Sequence, residues 1–234
     1  SQLGDILTTV KICGIKSLDS ALTAARAGAE FLGIVFESHS KRYLDPDSSK
    51  VLIDSFKAHW HLDRPLWVGV FANQPLEEVN HILNYCNLDM AQLSGQETPL
   101  YCKNVIRPVL KVIHINDDTP TETSLQDADR LLTTYKETCD LLMLDTFKQG
   151  ILGGTGQQFN WDIGMDLSSR HSLMLAGGLN PENVSQAIRT IRPWGLDVSS
   201  GVETNGEKDL SKIASFISIV TQTDNSSEHP YNMQ

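Results

Sequence analysis

The sequence predicts an α/β fold, a single (β/α)8 barrel, and three observations support this prediction. Eight short apolar segments recur along the chain, and each is followed by a segment of helical character. Strict alternation of this kind implies a parallel sheet. The length of 234 residues is close to the ~250 residues typical of one TIM barrel. Two consecutive loops near the C-terminus are rich in small residues, in the region where such barrels often bind phosphate.

The eight predicted strands are short apolar runs that end in a small or polar residue. They begin near Val10, Phe31, Leu66, Leu88, Val105, Leu141, Leu173 and Leu196. A continuous apolar run such as Phe31 to Phe36 is typical of a parallel strand buried on both faces. The segment from Val105 to Ile115 is the longest candidate. An open doubly wound sheet is the alternative, and the number of strands favours the closed barrel.

Capping residues mark most of the predicted helices. Asp19 is expected to cap a helix through Ala29, and Asp45–Pro46 to start one that reaches about His59. Asn160 is expected to cap only a short turn at Trp161. The other predicted helices run from Pro75 to about Tyr85, briefly from Glu97, from Leu125 to Lys136, and from Leu210 to Val220.

The predicted domain organisation is one catalytic barrel between two tails. We expect residues 1–8 to form an N-terminal tail and residues 9–220 to form the (β/α)8 domain. Residues 221–234 are polar and lack an apolar face, so we expect a disordered C-terminal tail.

Composition argues against several classes of partner. The chain has 19 Lys and Arg against 29 Asp and Glu, a formal net charge of −10. An acidic balance disfavours nucleic acid and anionic membranes as partners. The sequence has no apolar run of membrane-spanning length and no signal peptide at its start. Its four cysteines show no metal-binding spacing, so we expect reduced thiols and a cytoplasmic location.

Two glycine-containing loops follow the last two predicted strands. The first contains Gly177 and Gly178, then Asn180 as the expected helix N-cap and Pro181 as the first helical residue. The second contains Ser200 and Gly201. Small residues before a helix N-terminus expose backbone N–H groups that bind anions. One such loop is ordinarily only a turn, but two in succession predict a phosphate site.

Cys13 and Asp145 are the two groups at predicted strand ends that can exchange protons. A thiol acts as a base only as the thiolate, which nearby positive charge favours. Lys11 lies two residues before Cys13, on the same face of the strand, and is positioned to supply that charge. The ordinary roles for these residues are a buried core thiol and a helix cap. Their location at strand ends, where barrel active sites lie, favours catalysis instead.

Other polar residues near the predicted mouth are weaker candidates. Arg42 follows strand two, Gln92 and Ser94 end strand four, and Asp197 lies on strand eight. A cation in a loop over the mouth is suited to a substrate carboxylate. His114 ends strand five, where a structural role is the more common one. The sequence contains no metal motif and no nucleotide-binding motif, so we expect neither a metal nor a cofactor.

These segments together resemble the phosphoribosylanthranilate isomerase family of tryptophan biosynthesis. The resemblance covers strands one to eight in order. The segments that carry it are Val10–Ile15, Val68–Phe71, Gln92–Gly95, Leu144–Thr146, Gly153–Gly156, Leu175–Leu179 and Asp197–Glu203.

The resemblance implies an Amadori rearrangement of N-(5-phosphoribosyl)anthranilate to 1-(2-carboxyphenylamino)-1-deoxyribulose 5-phosphate. It makes Asp145 the general acid, Cys13 the general base and Arg42 the partner of the anthranilate carboxylate. Substrate contacts are also expected from Gln92, Lys11 and Asp197. Phosphate contacts are expected from Gly154, Gly177, Gly178, Ser200 and Gly201.

One residue departs from the family pattern. The family usually has histidine in the segment Gln92–Gly95, where this chain has Ser94. This departure keeps open a catalytically weak barrel that serves multienzyme assembly. A related sugar-phosphate isomerase of histidine biosynthesis is a second alternative, which Cys13 and the absence of a half-barrel repeat disfavour. The segment Val202–Gly206 is similar to fungal members, so fusion to other tryptophan-pathway domains also stays open.

Overall fold

The computed structural model describes residues 7–115, 121–146 and 161–226, and it confirms the predicted barrel. Eight parallel strands pair in chain order and close between the first and the last. They are β1 Thr9–Cys13, β2 Phe31–Val35, β3 Leu66–Phe71, β4 Met90–Leu93, β5 Val109–His114, β6 Leu141–Asp145, β7 Met174–Ala176 and β8 Gly195–Val198.

Helices alternate with these strands. They are α1 Leu18–Ala27, α2 Pro46–His59, α3 Leu76–Tyr85, α4 Pro99–Lys103, α5 Thr121–Lys136, α6 Trp161–Arg170, α7 Val184–Ile191 and α8 Leu210–Ser226. A single 3-10 turn, Ser200–Val202, follows β8, and a short hairpin of β9 (Glu203–Thr204) and β10 (Glu207–Lys208) comes before α8.

Successive side chains along each strand point alternately towards the helices and into the barrel, and this alternation separates two packed regions. Side chains that point outward pack beneath the helices in one large apolar core. Inside the barrel, Phe31, Val68, Met90, Leu110 and Met143 belong to a second cluster. Because side chains on one face recur every second residue, the inward face of each strand continues towards its carboxyl end. Cys13 lies there with Val35 and Val70.

The predictions for β5 and for the segment after Asn160 are wrong for identifiable reasons. β5 begins at Val109 rather than Val105, and Pro108 directly before it has no N–H for a strand ladder. A ten-residue helix begins at Trp161, where only a short turn was expected. Gly164 is one of its buried residues, and glycine weakens the helical signal of a sequence.

The observed cap residue agrees with the sequence prediction for α2 and differs from it for α1. Asp45 caps α2 as predicted, with its side chain accepting a hydrogen bond of 3.0 Å from the Ser48 N–H. In α1 the cap is Ser17 rather than Asp19, because the Ser17 hydroxyl accepts the Ser20 N–H at 3.2 Å. Asp19 instead lies in the first turn, where a carboxylate favours the helix dipole.

The last helix extends beyond the predicted end of the domain. α8 continues to Ser226, so the expected disorder from residue 221 is wrong for residues 221–226; residues 227–234 lie outside the described residues. Asp224 on this helix accepts two hydrogen bonds from Thr8, at 2.8 Å and 2.7 Å. Thr223 is buried and donates to the Ile219 carbonyl. These contacts order the helix end against the residue that comes before β1.

No helix in the described part of the chain has the length and apolar character needed to span a membrane.

A buried ion pair fixes the loop that follows β4. Lys111 on β5 and Glu97 lie 2.8 Å apart, and both side chains are almost fully buried. Glu97 also accepts hydrogen bonds from the backbone N–H groups of Asn73 and Gly95. The carboxylate therefore joins the loops after β3 and β4, and its removal leaves a buried ammonium without its counter-charge.

We expect Glu97→Gln to lower the free energy of unfolding by about 3–5 kcal/mol, since one partner of a buried ion pair is removed. Urea denaturation measures this loss. The control is Asp54→Asn, which removes the exposed pair with Lys50 and is expected to cost less than about 1 kcal/mol. Equal losses in the two variants would contradict a stabilising role for the buried pair.

Candidate active site

The candidate active site is the barrel mouth at the carboxyl ends of the strands. Cys13 ends β1, Asp145 ends β6, and Asp197 lies one residue before the end of β8. The closed strand order brings these three ends to one rim. Sequence reasoning placed them there, and the structure agrees.

Lys11 and Asp197 form an ion pair across the joint between β1 and β8. The two residues are partners in the strand register, and Lys11 Nζ lies 2.8 Å from Asp197 Oδ1. Lys11 is fully buried. Burial alone would lower its pKa, but the charges of Asp197 and Cys13 outweigh burial and raise it. The lysine is therefore a permanent cation below Cys13.

The Cys13 thiol has a raised pKa. Burial is the main cause, and Asp197 adds to it, while Lys11 and Lys208 act in the opposite direction. The sequence suggested that Lys11 would favour the thiolate. The direction of its effect agrees, but desolvation dominates and Asp197 neutralises much of the lysine charge. The net result is a thiol that holds its proton more strongly than an ordinary cysteine.

Gly33 on β2 is a part of the site that sequence reasoning missed. A Cβ at this position would lie 2.9 Å from Cys13 Sγ and 3.1 Å from Lys11 Nζ. Both distances are shorter than a normal contact, so a side chain here would displace the thiol and the lysine. The available signal was an isolated glycine inside an apolar strand, which often marks a close approach.

His114 contacts Asp145, although a structural role was expected for it. The two residues are register partners on β5 and β6, and His114 Nδ1 lies 3.6 Å from Asp145 Oδ2. His114 Nε2 lies 2.8 Å from the Ser94 carbonyl oxygen. Because a carbonyl only accepts, Nε2 carries a proton and Nδ1 is the nitrogen that titrates. The interaction with Asp145 is the main reason that the pKa of His114 is raised.

Gln92 lies deep in the mouth with an unmatched acceptor. Its side-chain N–H donates to the Ser94 hydroxyl at 3.2 Å. Its Oε1 is buried and has no hydrogen-bond partner among the described residues. Ser94 therefore orients the Gln92 amide in this chain. Buried polar atoms are seldom left without a partner, so this oxygen is suited to a donor group of a bound molecule.

Arg42 is held at the rim by Glu203, which was not predicted as a site residue. Its Nε and Nη2 atoms donate to the two carboxylate oxygens of Glu203, at 2.8 Å and 2.7 Å. Lys208 Nζ donates to the same carboxylate at 2.6 Å. Together with Gly14 they line a cavity of about 220 Å³.

The two glycine loops lie against each other. Gly177 and Gly178 have φ values of 105° and 72°, a conformation that favours glycine. A Cβ on Gly201 would collide with the carbonyl group of Leu179, so the second loop approaches the backbone of the first. Ser200, at the start of the 3-10 turn, is exposed. The predicted phosphate residue Gly154 lies outside the described residues.

The capping prediction for the first loop is wrong in detail. α7 begins at Val184, and its cap residue is Asn183 rather than Asn180. Asn180 stabilises the turn before the helix, where its side chain accepts the N–H groups of Glu182 and Asn183. The Asn183 side chain donates to the Gly178 carbonyl at 2.8 Å. This hydrogen bond fixes the glycine pair to the helix start.

The described residues hold no group of three or more His, Cys, Asp or Glu side chains arranged to bind a metal ion.

The fold and the mouth define a (β/α)8-barrel enzyme with a thiol and a carboxylate on one rim. The sequence profile of N-(5'-phosphoribosyl)anthranilate (PRA) isomerase matches residues 10–219. The chain therefore belongs to the PRA isomerase family.

Individual relatives agree with this assignment. The chain is 44% identical to N-(5'-phosphoribosyl)anthranilate isomerase of Dehalococcoides mccartyi over 214 residues, which are 92% of this chain and 96% of the relative. It superposes on phosphoribosyl anthranilate isomerase of Thermotoga maritima with a TM-score of 0.78, at 32% identity over 92% of this chain and 100% of the other.

A further solved structure carries a ligand. It is a phosphoribosyl anthranilate isomerase in complex with reduced 1-(o-carboxyphenylamino)-1-deoxyribulose 5-phosphate. Its TM-score to this chain is 0.75 at 31% identity, with coverage of 92% of this chain and 100% of that one.

We expect Asp145→Asn to lower the pKa of His114 towards its ordinary value, because the carboxylate that stabilises the imidazolium is gone. NMR titration of the histidine ring signals measures this pKa. Asp129→Asn is the control, since Asp129 contacts His171 on the helical layer at 2.7 Å and is expected to leave His114 unchanged. An unchanged His114 pKa in Asp145→Asn would show that the two groups are not coupled.

Proposed function

We propose that this chain isomerises N-(5-phosphoribosyl)anthranilate to 1-(2-carboxyphenylamino)-1-deoxyribulose 5-phosphate, with Asp145 as general acid and Cys13 as general base. Family membership supports the reaction, which is a step of tryptophan biosynthesis. The observation that carries the residue assignment is the position of the two proton-exchanging groups. They end β1 and β6 on one rim, so one sugar ring bound in the mouth can face both.

The rearrangement needs an acid and a base that act at different atoms. Asp145 protonates the ribose ring oxygen, the bond from that oxygen to C1 breaks, and the nitrogen lone pair forms a Schiff base. The Cys13 thiolate then removes the proton on C2, and the electrons of that bond neutralise the iminium to give an enolamine. A proton added at C1 and a proton lost from the C2 hydroxyl complete the ketone. No oxidant or reductant is consumed, so the residues described suffice for the chemistry.

The microenvironments of the two groups are suited to these roles. A base with a raised pKa is strong once deprotonated, although only its thiolate fraction reacts. His114 stands beside Asp145 and can stabilise the carboxylate that remains when Asp145 has given up its proton.

Substrate contacts follow from the same rim. We assign the anthranilate carboxylate to Arg42 and the ribose to Gln92, whose buried Oε1 is an available acceptor. Lys11 and Asp197 satisfy each other, and Asp197 is the more exposed of the two, so we assign the direct contact to Asp197. We assign the phosphate to the paired glycine loops, through Gly177, Gly178, Ser200 and Gly201, with Gly154 as a further contact.

The binding partners and the cellular location of the chain are proposed in less detail than the reaction. A phosphorylated small molecule is the substrate that the family implies. Fusion to, or association with, other tryptophan-pathway domains stays a prediction. So does a cytoplasmic location, which four cysteines without disulfides support.

Loss of anthranilate-type fluorescence after phosphoribosylanthranilate is formed in place tests the proposal. We expect turnover by the wild-type chain and a loss of about 10²–10⁴-fold in Cys13→Ala and in Asp145→Asn, the range for one general acid or base. Both variants are expected to bind the reduced product analogue still.

Cys86→Ala is the matched control, because Cys86 is a buried thiol at the end of α3 whose Sγ contacts the Pro46 carbonyl. We expect it to keep the wild-type rate. Full turnover by Cys13→Ala would remove the thiol from the mechanism. A folded wild-type chain that binds the analogue without turnover would favour the assembly role instead.

A further inference from the structure

The Glu203 carboxylate joins Arg42 and Lys208 in a charged cluster at the rim. Both of its oxygens accept from Arg42, and one of them also accepts from Lys208. Such bidentate, charge-assisted pairs are among the strongest and most directional hydrogen bonds in proteins. The mechanism proposed above gives Glu203 no role. Glu203 nevertheless determines where the Arg42 guanidinium lies.

Two members of this cluster are almost fully buried. The side chains of Glu203 and Lys208 are 7% and 6% exposed, while Arg42 is 29% exposed. Burial alone would raise the pKa of Glu203, but the hydrogen bonds from Arg42 and Lys208 outweigh it and lower the pKa. Glu203 is therefore ionised, and the partly exposed face of the cluster belongs to Arg42.

The cluster lies directly above the end of β1. A Cβ on Gly14 would lie 2.8 Å from Arg42 Cδ and 3.2 Å from Lys208 Nζ, so the arginine crosses the residue that follows Cys13. Lys208 also donates to the Ser199 carbonyl at 3.2 Å, and the Ser199 hydroxyl donates to the Cys13 carbonyl at 3.1 Å. The position of the guanidinium is thus fixed relative to the thiol.

We propose that Glu203 is a positioning residue that aims Arg42 at the aromatic carboxylate of the substrate. This inference rests on the proposed function and deepens it. A guanidinium is a planar fork with five N–H donors. Glu203 occupies the edge formed by Nε and Nη2, which leaves the edge formed by Nη1 and Nη2 for a second carboxylate. Arg42 then bridges two carboxylates, one fixed in the protein and one on the substrate.

Lys208 explains how Arg42 can bind a substrate carboxylate although it is already paired with the acidic residue Glu203. A pair of Arg42 and Glu203 alone would be neutral and would attract a substrate carboxylate weakly. With Lys208 the cluster carries one net positive charge, in a partly buried place where charge interactions are strong. Glu203 therefore supplies orientation, and Lys208 restores the charge that Glu203 cancels.

The test compares two substrates that differ only in the carboxylate. They are N-(5-phosphoribosyl)anthranilate and N-(5-phosphoribosyl)aniline, each given to the wild-type chain, to Glu203→Gln and to Glu207→Gln. Glu207 lies in the same hairpin, is exposed, and lines the same cavity, so its variant makes the same charge change without touching Arg42.

We expect Glu203→Gln to raise KM for the anthranilate substrate about tenfold, the scale of one weakened charge-assisted hydrogen bond. Its kcat changes little, because the carboxylate is bound equally before and in the transition state. We expect the aniline substrate to give the same KM and kcat in all three proteins. Glu207→Gln is expected to match the wild type with both substrates.

Arg42→Met provides a second measurement. If Glu203 acts through Arg42, adding Glu203→Gln to Arg42→Met causes no further loss with the anthranilate substrate. Equal losses with both substrates in Glu203→Gln would overturn the proposal and indicate a structural role. A lower KM would also overturn it, since Glu203 would then compete with the substrate for Arg42. Absence of turnover in the wild type would instead refute the proposed function itself.

Discussion

The ion pair between Lys11 and Asp197 is the interaction on which the site depends. It joins β1 to β8, the two strands whose pairing closes the barrel, and it lies two residues below Cys13. A fully buried ammonium is tolerated only with a counter-charge, and breaking such a pair costs about 3–5 kcal/mol. The same contact therefore joins the two strands that close the sheet, lies below the Cys13 thiol, and limits how far Lys11 lowers the pKa of that thiol.

The residues between this ion pair and the barrel mouth are arranged around it. Gly33 leaves the space that the Cys13 thiol and the Lys11 ammonium occupy, and Gly14 leaves the space that Arg42 crosses. Ser199 then ties the Cys13 backbone to Lys208, and Lys208 ties it to Glu203. Asp145 is supported separately, by register pairing with His114. The mouth thus has two sides. One joins Cys13 to Arg42 through a chain of hydrogen bonds, and the other holds Asp145 beside a histidine with a raised pKa.

The sequence predicted those features that a local pattern of residues determines. Apolar runs and their terminal residues located all eight strands, and with them Cys13, Asp145 and Asp197, because parallel strands all end on one rim. It could not reveal Glu203 or His114 as site residues, since their roles come from contacts with Arg42 and Asp145 that lie 161 and 31 positions away in sequence. α6 was missed because a central glycine masks its helical pattern, and α8 was cut short because its last residues are polar. The contacts of the Ser94 carbonyl with His114 and of the Ser94 hydroxyl with Gln92 became visible only in three dimensions.

Titration of the Cys13 thiolate tests the central claim most directly. The difference in ultraviolet thiolate absorbance between the wild-type chain and Cys13→Ala, followed against pH, gives its pKa. We expect a midpoint above that of an ordinary cysteine. We also expect a lower midpoint in Asp197→Asn, where Lys11 is released and a nearby negative charge is lost. A wild-type midpoint at or below the ordinary value, or a rise in Asp197→Asn, would contradict the view that burial and the Lys11–Asp197 pair together control the base.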